Sequence, residues 1–222
     1  MFCKPARTAV IASASLPVSD TQRLRSCLSR FLPHVDRERL ALTGGVAIEL
    51  HLAGSGRRGR RECLADLDFV ASQLDVIAPT VVRDFLVSHY HVAQPGVPKG
   101  IVQLVDPITR LRLDIFPDCA GTLPRAKRMI VEGEAVLVLD TQTLLEHKLQ
   151  TISKSAVDEK HWLDAVALAA LCGVPSPPRP AQFVPDTYGT DLTLACDRCE
   201  RSRSPAFPSA PKRIVFDLLG HI

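Results

Sequence analysis

Leu42-Thr43-Gly44-Gly45-Val46-Ala47-Ile48-Glu49-Leu50-His51-Leu52, followed by Asp66-Leu67-Asp68-Phe69, is the stretch whose reading decides the fold. Residues 39–43 have strand character, and the paired glycines then open a helix through Val46, Ala47, Leu50 and His51. A glycine turn at a strand-to-helix junction lets backbone N–H groups come up to an anion, because no Cβ stands in the way. Residues 64–71 read as the next strand. Its period of two puts Asp66 and Asp68 on one face and Leu67 and Phe69 on the other. The segment is otherwise apolar, and paired carboxylates in such a place need a partner such as a metal. The competing readings are a tight structural turn for the glycines and a solvated face or edge guard for the aspartates.

Outward from this stretch, residues 20–32 read as an amphipathic helix, with Leu24, Cys27, Leu28 and Phe31 at helical spacing and Pro33 as the stop. A second helix is expected at 80–90, before a Pro/Gly-rich loop at 95–100. Residues 101–105 and 110–116 read as a hairpin around Asp106-Pro107-Ile108-Thr109. In its second strand Arg112 and Asp114 share a face, so Asp114 is either a third carboxylate of the cluster or a partner for Arg112 or Arg110. Glu132-Gly133-Glu134 marks a further turn, between 129–131 and 135–139.

From Asp140 the pattern turns helical. Thr143 and Glu146 have capping-box spacing, with Asp140 or Thr141 as alternative caps, and Leu144, Leu145, Lys148, Leu149 and Ile152 follow at helical intervals. Another helix spans 157–172 and closes at Gly173. Beyond it lie a proline-rich connector at 175–185 and a short helix at 211–219. The expected organisation is a core at 1–139, a helical part at 140–174 that closes over a ligand, and an appendage at 175–222 that packs onto the core. The fold class is α/β (α+β): a small mixed sheet flanked by helices, with the site on one face and a helical C-terminal part.

The chain has 222 residues, is 46% hydrophobic and 23% charged, and has a formal charge of +3, too small to imply nucleic-acid binding by itself. No apolar run reaches the length of a membrane span. Lys4, Arg7 and the apolar segment at 8–16 mimic a signal peptide, but Ser13 and Ser15 interrupt it. The seven scattered cysteines are not a disulfide framework, so reduced thiols in a cytoplasm are expected. Cys196-x-x-Cys199 is half of a zinc site. Without a second pair zinc is not expected there, since its ligands would have to come from Cys172, His161 or His221.

Two aspartates at i and i+2 on a strand, with a third on an adjacent strand, can share metal ions that stabilise a reacting phosphate, and the third can accept a nucleophile's proton. In their order, these residues resemble the polymerase-β-type nucleotidyltransferase superfamily, and within it the AbiEii-type abortive-infection toxins. The likeness rests on residues 42–52, Asp66-Leu67-Asp68-Phe69, Leu113-Asp114-Ile115-Phe116, Leu144-Leu145-Glu146-His147-Lys148-Leu149 and Lys160-His161-Trp162-Leu163-Asp164. It spans roughly Leu40 to Leu171.

The resemblance implies Mg²⁺-dependent (or Mn²⁺-dependent) transfer of a nucleoside monophosphate from an NTP such as ATP to an acceptor. Thr43, Gly44, Gly45, Arg61 and Lys148 would bind the nucleotide, and Asp66, Asp68 and Asp114 the metal. Asp114 would also assist as base, and Asp164 would orient Lys148 or the acceptor. The partners it brings are an NTP, an RNA acceptor and an antitoxin protein, with no membrane. The alternatives are an antibiotic-modifying nucleotidyltransferase and a non-catalytic nucleotide- or partner-binding module of the same fold. The family's Arg-x-Ser before Asp-x-Asp is replaced here by Arg61-Glu62-Cys63-Leu64-Ala65, and the stretch after Cys172 has no counterpart. Without the resemblance, Lys148 is a solvated helix residue, Asp164 pairs with Lys160 one turn earlier, and Arg57, Arg58, Arg60 and Arg61 are a solvated loop.

Overall fold

The computed structural model describes residues 10–12, 14, 16–91, 100–154 and 158–183. Cys196 and Cys199, the helix expected at 211–219 and nearly all of the 95–100 loop lie outside the described residues. In chain order the elements are β1 (Val10–Ala12), α1 (Val18–Phe31), β2 (Leu40–Thr43), α2 (Gly44–Gly54), β3 (Asp66–Ala71) and β4 (Leu86–His91). Then come β5 (Ile101–Val105), β6 (Arg112–Pro117), β7 (Lys127–Val131), β8 (Glu134–Val138), α3 (Thr141–Lys154) and α4 (Glu159–Cys172). The strands form one mixed eight-stranded sheet in the order β1-β7-β8-β2-β3-β6-β5-β4, larger than the small sheet expected.

The central strands follow the alternation of the sequence. Leu67, Phe69, Leu113 and Ile115 are buried on one face, where the Phe31 ring of α1 lies 5.2 Å from that of Phe69. α2, α3 and α4 pack against one another, with α3 over the carboxylate face. Helices thus flank both faces of the sheet, as expected. β2 runs antiparallel to β3, and β3 runs parallel to β6, with Asp66 opposite Arg112 and Asp68 opposite Asp114.

Local chemistry sets the turns. At Glu132-Gly133 both residues have positive φ (51° and 91°), which matches the twist of a two-residue hairpin joining β7 to β8. The Asp106 carboxylate accepts from Ile108 N at 3.0 Å and Thr109 Oγ1 at 2.8 Å, closing the turn between β5 and β6. Thr143 N donates to Asp140 Oδ1 at 2.8 Å, so Asp140 caps α3. Glu146, the capping-box partner by spacing, accepts instead from Arg125 Nη1 at 2.9 Å. Gly173, with φ of 69°, ends α4.

Two segments differ from expectation. The helix expected at 80–90 is a short 3-10 turn over Pro79–Arg83 followed by strand β4. Val81 and Phe85 are buried one helical turn apart and mimic a stripe, but Val87 and Tyr90 pair with Leu104 and Val102 of β5. Val10–Ala12, part of the segment that mimics a signal peptide, adds parallel to β7 as an edge strand. Within α3, Leu144 and Leu145 are buried while Leu149 is exposed, so the apolar stripe is narrower than its spacing implied. Cys27, Cys63 and Cys172 are free thiols, and no helix among the described residues is long and apolar enough to cross a membrane.

The entry to β3 is pinned by an ion pair between buried Asp20 and half-buried Arg23. Asp20 accepts from Leu64 N at 2.8 Å and from Arg23 Nη1 at 2.8 Å, while Arg23 donates to Leu64 O at 3.1 Å and Thr109 O at 3.0 Å. One pair therefore holds the leads into both β3 and β6. We expect Asp20→Ala to lower unfolding free energy in urea by about 1–3 kcal/mol, since it strands a buried N–H and an arginine. A change of only a few tenths would show that Leu64 is held by other contacts.

Candidate functional site

Seven parts of the chain meet in a cleft of about 330 Å³: the N-terminus of α2, the loop after it, the strands β3, β5 and β6, α3 and the start of α4. Gly45, Arg61, Asp66, Asp68, Asp114 and Lys148 all line it, so most of the residues singled out by sequence converge. Thr43 does not. It lies opposite Asp68 in the ladder but lines an adjoining cleft of about 510 Å³ that shares Phe116 with the first. Asp164 is buried beneath the cleft.

Gly44 is required by its backbone and by close approach, and Gly45 leaves the space that Arg61 fills. Gly44 has φ of 63°, and a Cβ there would overlap the Asp68 carboxylate. A Cβ on Gly45 would overlap the Arg61 guanidinium, which lies against the backbone at that point. The glycine pair thus brings a helix N-terminus against a carboxylate on one side and an arginine on the other.

The carboxylates sit where strand phase places them. A single nitrogen, Arg112 Nη2, is 3.1 Å from Asp66 Oδ2 and 3.0 Å from Asp114 Oδ2. Asp114 is buried, and its Oδ1 has no hydrogen-bond partner. Burial, together with the Asp66 and Asp114 charges, pushes Asp68 up to about 7, against the pull of Lys148 and Arg61. Burial and the Asp66 charge also raise Asp114, opposed by Arg112.

Behind this patch a second cluster is built on Asp164. Its carboxylate takes Lys148 Nζ at 2.9 Å, Arg60 Nη1 at 3.2 Å and Arg61 Nη2 at 3.3 Å. Although burial opposes the charge, the cations, Lys148 foremost, hold Asp164 below the ordinary carboxylate value. The pairing with Lys160 expected within α4 is replaced by these three contacts, and Lys148 is not a solvated residue. Lys148 also donates to His161 Nδ1 at 3.1 Å, and burial and the lysine charge lower the pKa of His161.

Buried Glu49 accepts from Arg60 N through both carboxylate oxygens, at 3.2 and 3.0 Å, which holds the arginine loop against α2. Sequence reasoning missed Glu49 and His161, whose signals are a charged residue in an otherwise apolar helix and a neighbour of the family-like Lys160. Of the arginine loop, Arg60 and Arg61 turn inward and Arg57 and Arg58 stay exposed.

The donor set suits a divalent ion, being three carboxylates on one sheet face with a buried oxygen left unpaired. In the arrangement described, no three His, Cys, Asp or Glu side chains among the described residues are gathered closely enough to hold one. Arg112 Nη2 stands between two of the oxygens.

No family model matches the chain, and no curated protein does. Among solved structures it is similar to an antigenic nucleotidyltransferase-like protein from Paracoccidioides brasiliensis, at 18% identity and a TM-score of 0.43, over 85% of this chain and 90% of that one. JHP933 from Helicobacter pylori is similar at 13% identity and 0.43, over 83% and 74%. The lincosamide antibiotic adenylyltransferase LnuA, bound to lincomycin, is similar at 15% identity and 0.42, over 68% and 96%. At TM-scores below 0.5 these likenesses establish neither family nor activity.

The high pKa of Asp68 has a sign that stability measurements can read. A carboxyl raised from 3.8 to about 7 binds its proton more readily in the folded than in the unfolded chain. Its contribution to metal-free stability therefore falls as pH rises from 3.8 to about 7, and the full penalty persists above that. Asp68→Asn is expected to raise the melting temperature at pH 8 without added metal and to flatten this part of the profile. An unchanged or lower melting temperature would show that Asp68 is not held against its charge.

Proposed function

We propose that the protein transfers a nucleoside monophosphate from an NTP to an acceptor. The observation that carries this reading is the meeting of two sets of groups in one cleft. Asp66, Asp68 and Asp114 line it together with Arg61, Lys148 and the glycine-opened N-terminus of α2, which lies directly against Asp68. The first set suits divalent cations and the second suits a polyphosphate.

In this reading Asp66, Asp68 and Asp114 hold Mg²⁺ or Mn²⁺, which when bound neutralises charge on the reacting phosphate and its leaving group. The N–H groups at Gly44 and Gly45 and the positive end of α2 receive phosphate oxygens. Lys148 and Arg61 supply fixed charge there, and Asp164 aims both from below. Asp114, whose Oδ1 is free to accept a hydrogen bond, takes the proton of the attacking hydroxyl. The helical part at 140–174 closes over the nucleotide, and the appendage from 175 lies outside the chemistry.

Exposed Arg57 and Arg58, on the loop that leads to Arg61, favour a polyanionic acceptor, and we propose RNA. Modification of RNA would suit a toxin restrained by an antitoxin in the cytoplasm.

The test is incubation with each α-labelled NTP, Mg²⁺ and total cellular RNA. Label is expected in RNA, and Asp68→Asn should reduce it at least about a hundredfold, a loss in the range metal stabilisation supplies. Label in a small molecule would redirect the acceptor, and no transfer from any NTP would leave a binding module. Lys148→Ala should weaken NTP binding in calorimetry by roughly 1.5–3 kcal/mol, the worth of a charge-assisted contact. Unchanged affinity would confine Lys148 to its pair with Asp164.

A further inference from the structure

Arg112 is placed by the backbone. It stands directly opposite Asp66 in the β3–β6 ladder and two residues before Asp114 on its own strand. Its side chain is only 15% exposed, and one nitrogen touches a carboxylate oxygen of both Asp66 and Asp114. Of the other cations that line the cleft, Arg61 and Lys148 are paired with Asp164, and Lys160 stands at the start of α4. The cation in direct contact with Asp66 and Asp114 is this arginine, which cannot deprotonate.

We infer that Arg112 holds the place of the divalent cation, so that the site takes up its metal together with the nucleotide and binds it weakly before. The inference rests on the nucleotidyl-transfer reading and adds the order of binding. A metal ion entering alone must displace a buried guanidinium that then has no anion to meet, a costly separation. A triphosphate entering the same cleft offers that guanidinium phosphate oxygens, a partner of matching geometry. Arg112 thereby guards the site against free cations while leaving it open to a metal–nucleotide complex.

The experiment titrates full-length protein with Mn²⁺, followed by electron paramagnetic resonance, with and without an NTP analogue that cannot react between its α- and β-phosphates. Wild type is compared with Arg112→Gln and with Arg61→Gln, which removes an equal charge from the cleft without freeing Asp66 or Asp114. Without nucleotide, Arg112→Gln is expected to bind Mn²⁺ about tenfold or more tighter than wild type, the scale of a lost charge-assisted contact. Arg61→Gln should stay within about twofold of wild type. The analogue should close the gap between wild type and Arg112→Gln. Arg112→Met, which keeps an unbranched apolar stem, serves if the glutamine variant does not fold.

Wild type that binds Mn²⁺ alone as tightly as Arg112→Gln would overturn the inference and leave the nucleotidyl-transfer reading standing. Arg61→Gln tightening as much as Arg112→Gln would also overturn it, because the effect would then be cleft charge and not occupancy. No Mn²⁺ binding by any of the proteins, with or without the analogue, would bring down the reading and the inference together.

Discussion

Parallel pairing of β3 with β6 puts Asp66, Asp68, Arg112 and Asp114 on one patch of sheet, and the rest of the molecule is arranged around that concentration of charge. Burial, and after it the charges of Asp66 and Asp114, oppose the ionisation of Asp68 and raise it to about 7. Such a patch persists only when the strands carrying it are held by other means. The opposite face does this with buried Leu67, Phe69, Leu113 and Ile115 under α1. The Asp20–Arg23 pair does it at the strand entries. Stability built on one side of the sheet thus sustains an electrostatically unfavourable arrangement on the other.

Asp164 solves the complementary problem. Lys148, Arg60 and Arg61 come from different parts of the chain and would repel one another if brought together without an anion. Their common partner is a carboxylate on α4, buried to 3% exposure. This one group ties α3, α4 and the arginine loop together beside the acidic patch. Glu49 fixes the same loop from α2 through the Arg60 backbone. Each concentration of like charge in the cleft thus has its own buried counter-charge, Asp164 for the cations and Arg112 for Asp66 and Asp114.

The strands at β2, β3, β5 and β6, the helix opened by Gly44-Gly45 and the shared face of Asp66 and Asp68 were legible because each depends on short-range periodicity. Residues 80–90 were misread because Val81 and Phe85 have helical spacing, while strand pairing with β5 depends on residues well beyond that window. The short strand Val10–Ala12 depends in the same way on β7, which arrives more than a hundred residues later. The cap of α3 lay within reach of local reading, but Thr143 and Asp140 satisfied the same pattern until Arg125 claimed Glu146.

The sequence by itself determined which residues alternate, where helices start and stop, and that two glycines open a helix ahead of aspartates at alternate positions of a strand. Those properties are set by backbone geometry over a few residues. Only the tertiary structure decided which cation meets which anion. Arg112 could have pointed to solvent or paired elsewhere, and Lys160 is nearer to Asp164 in sequence than Lys148, Arg60 or Arg61. The choice fell to strand register and helix packing, because ion pairing in a buried cleft depends on distance and desolvation and not on separation along the chain.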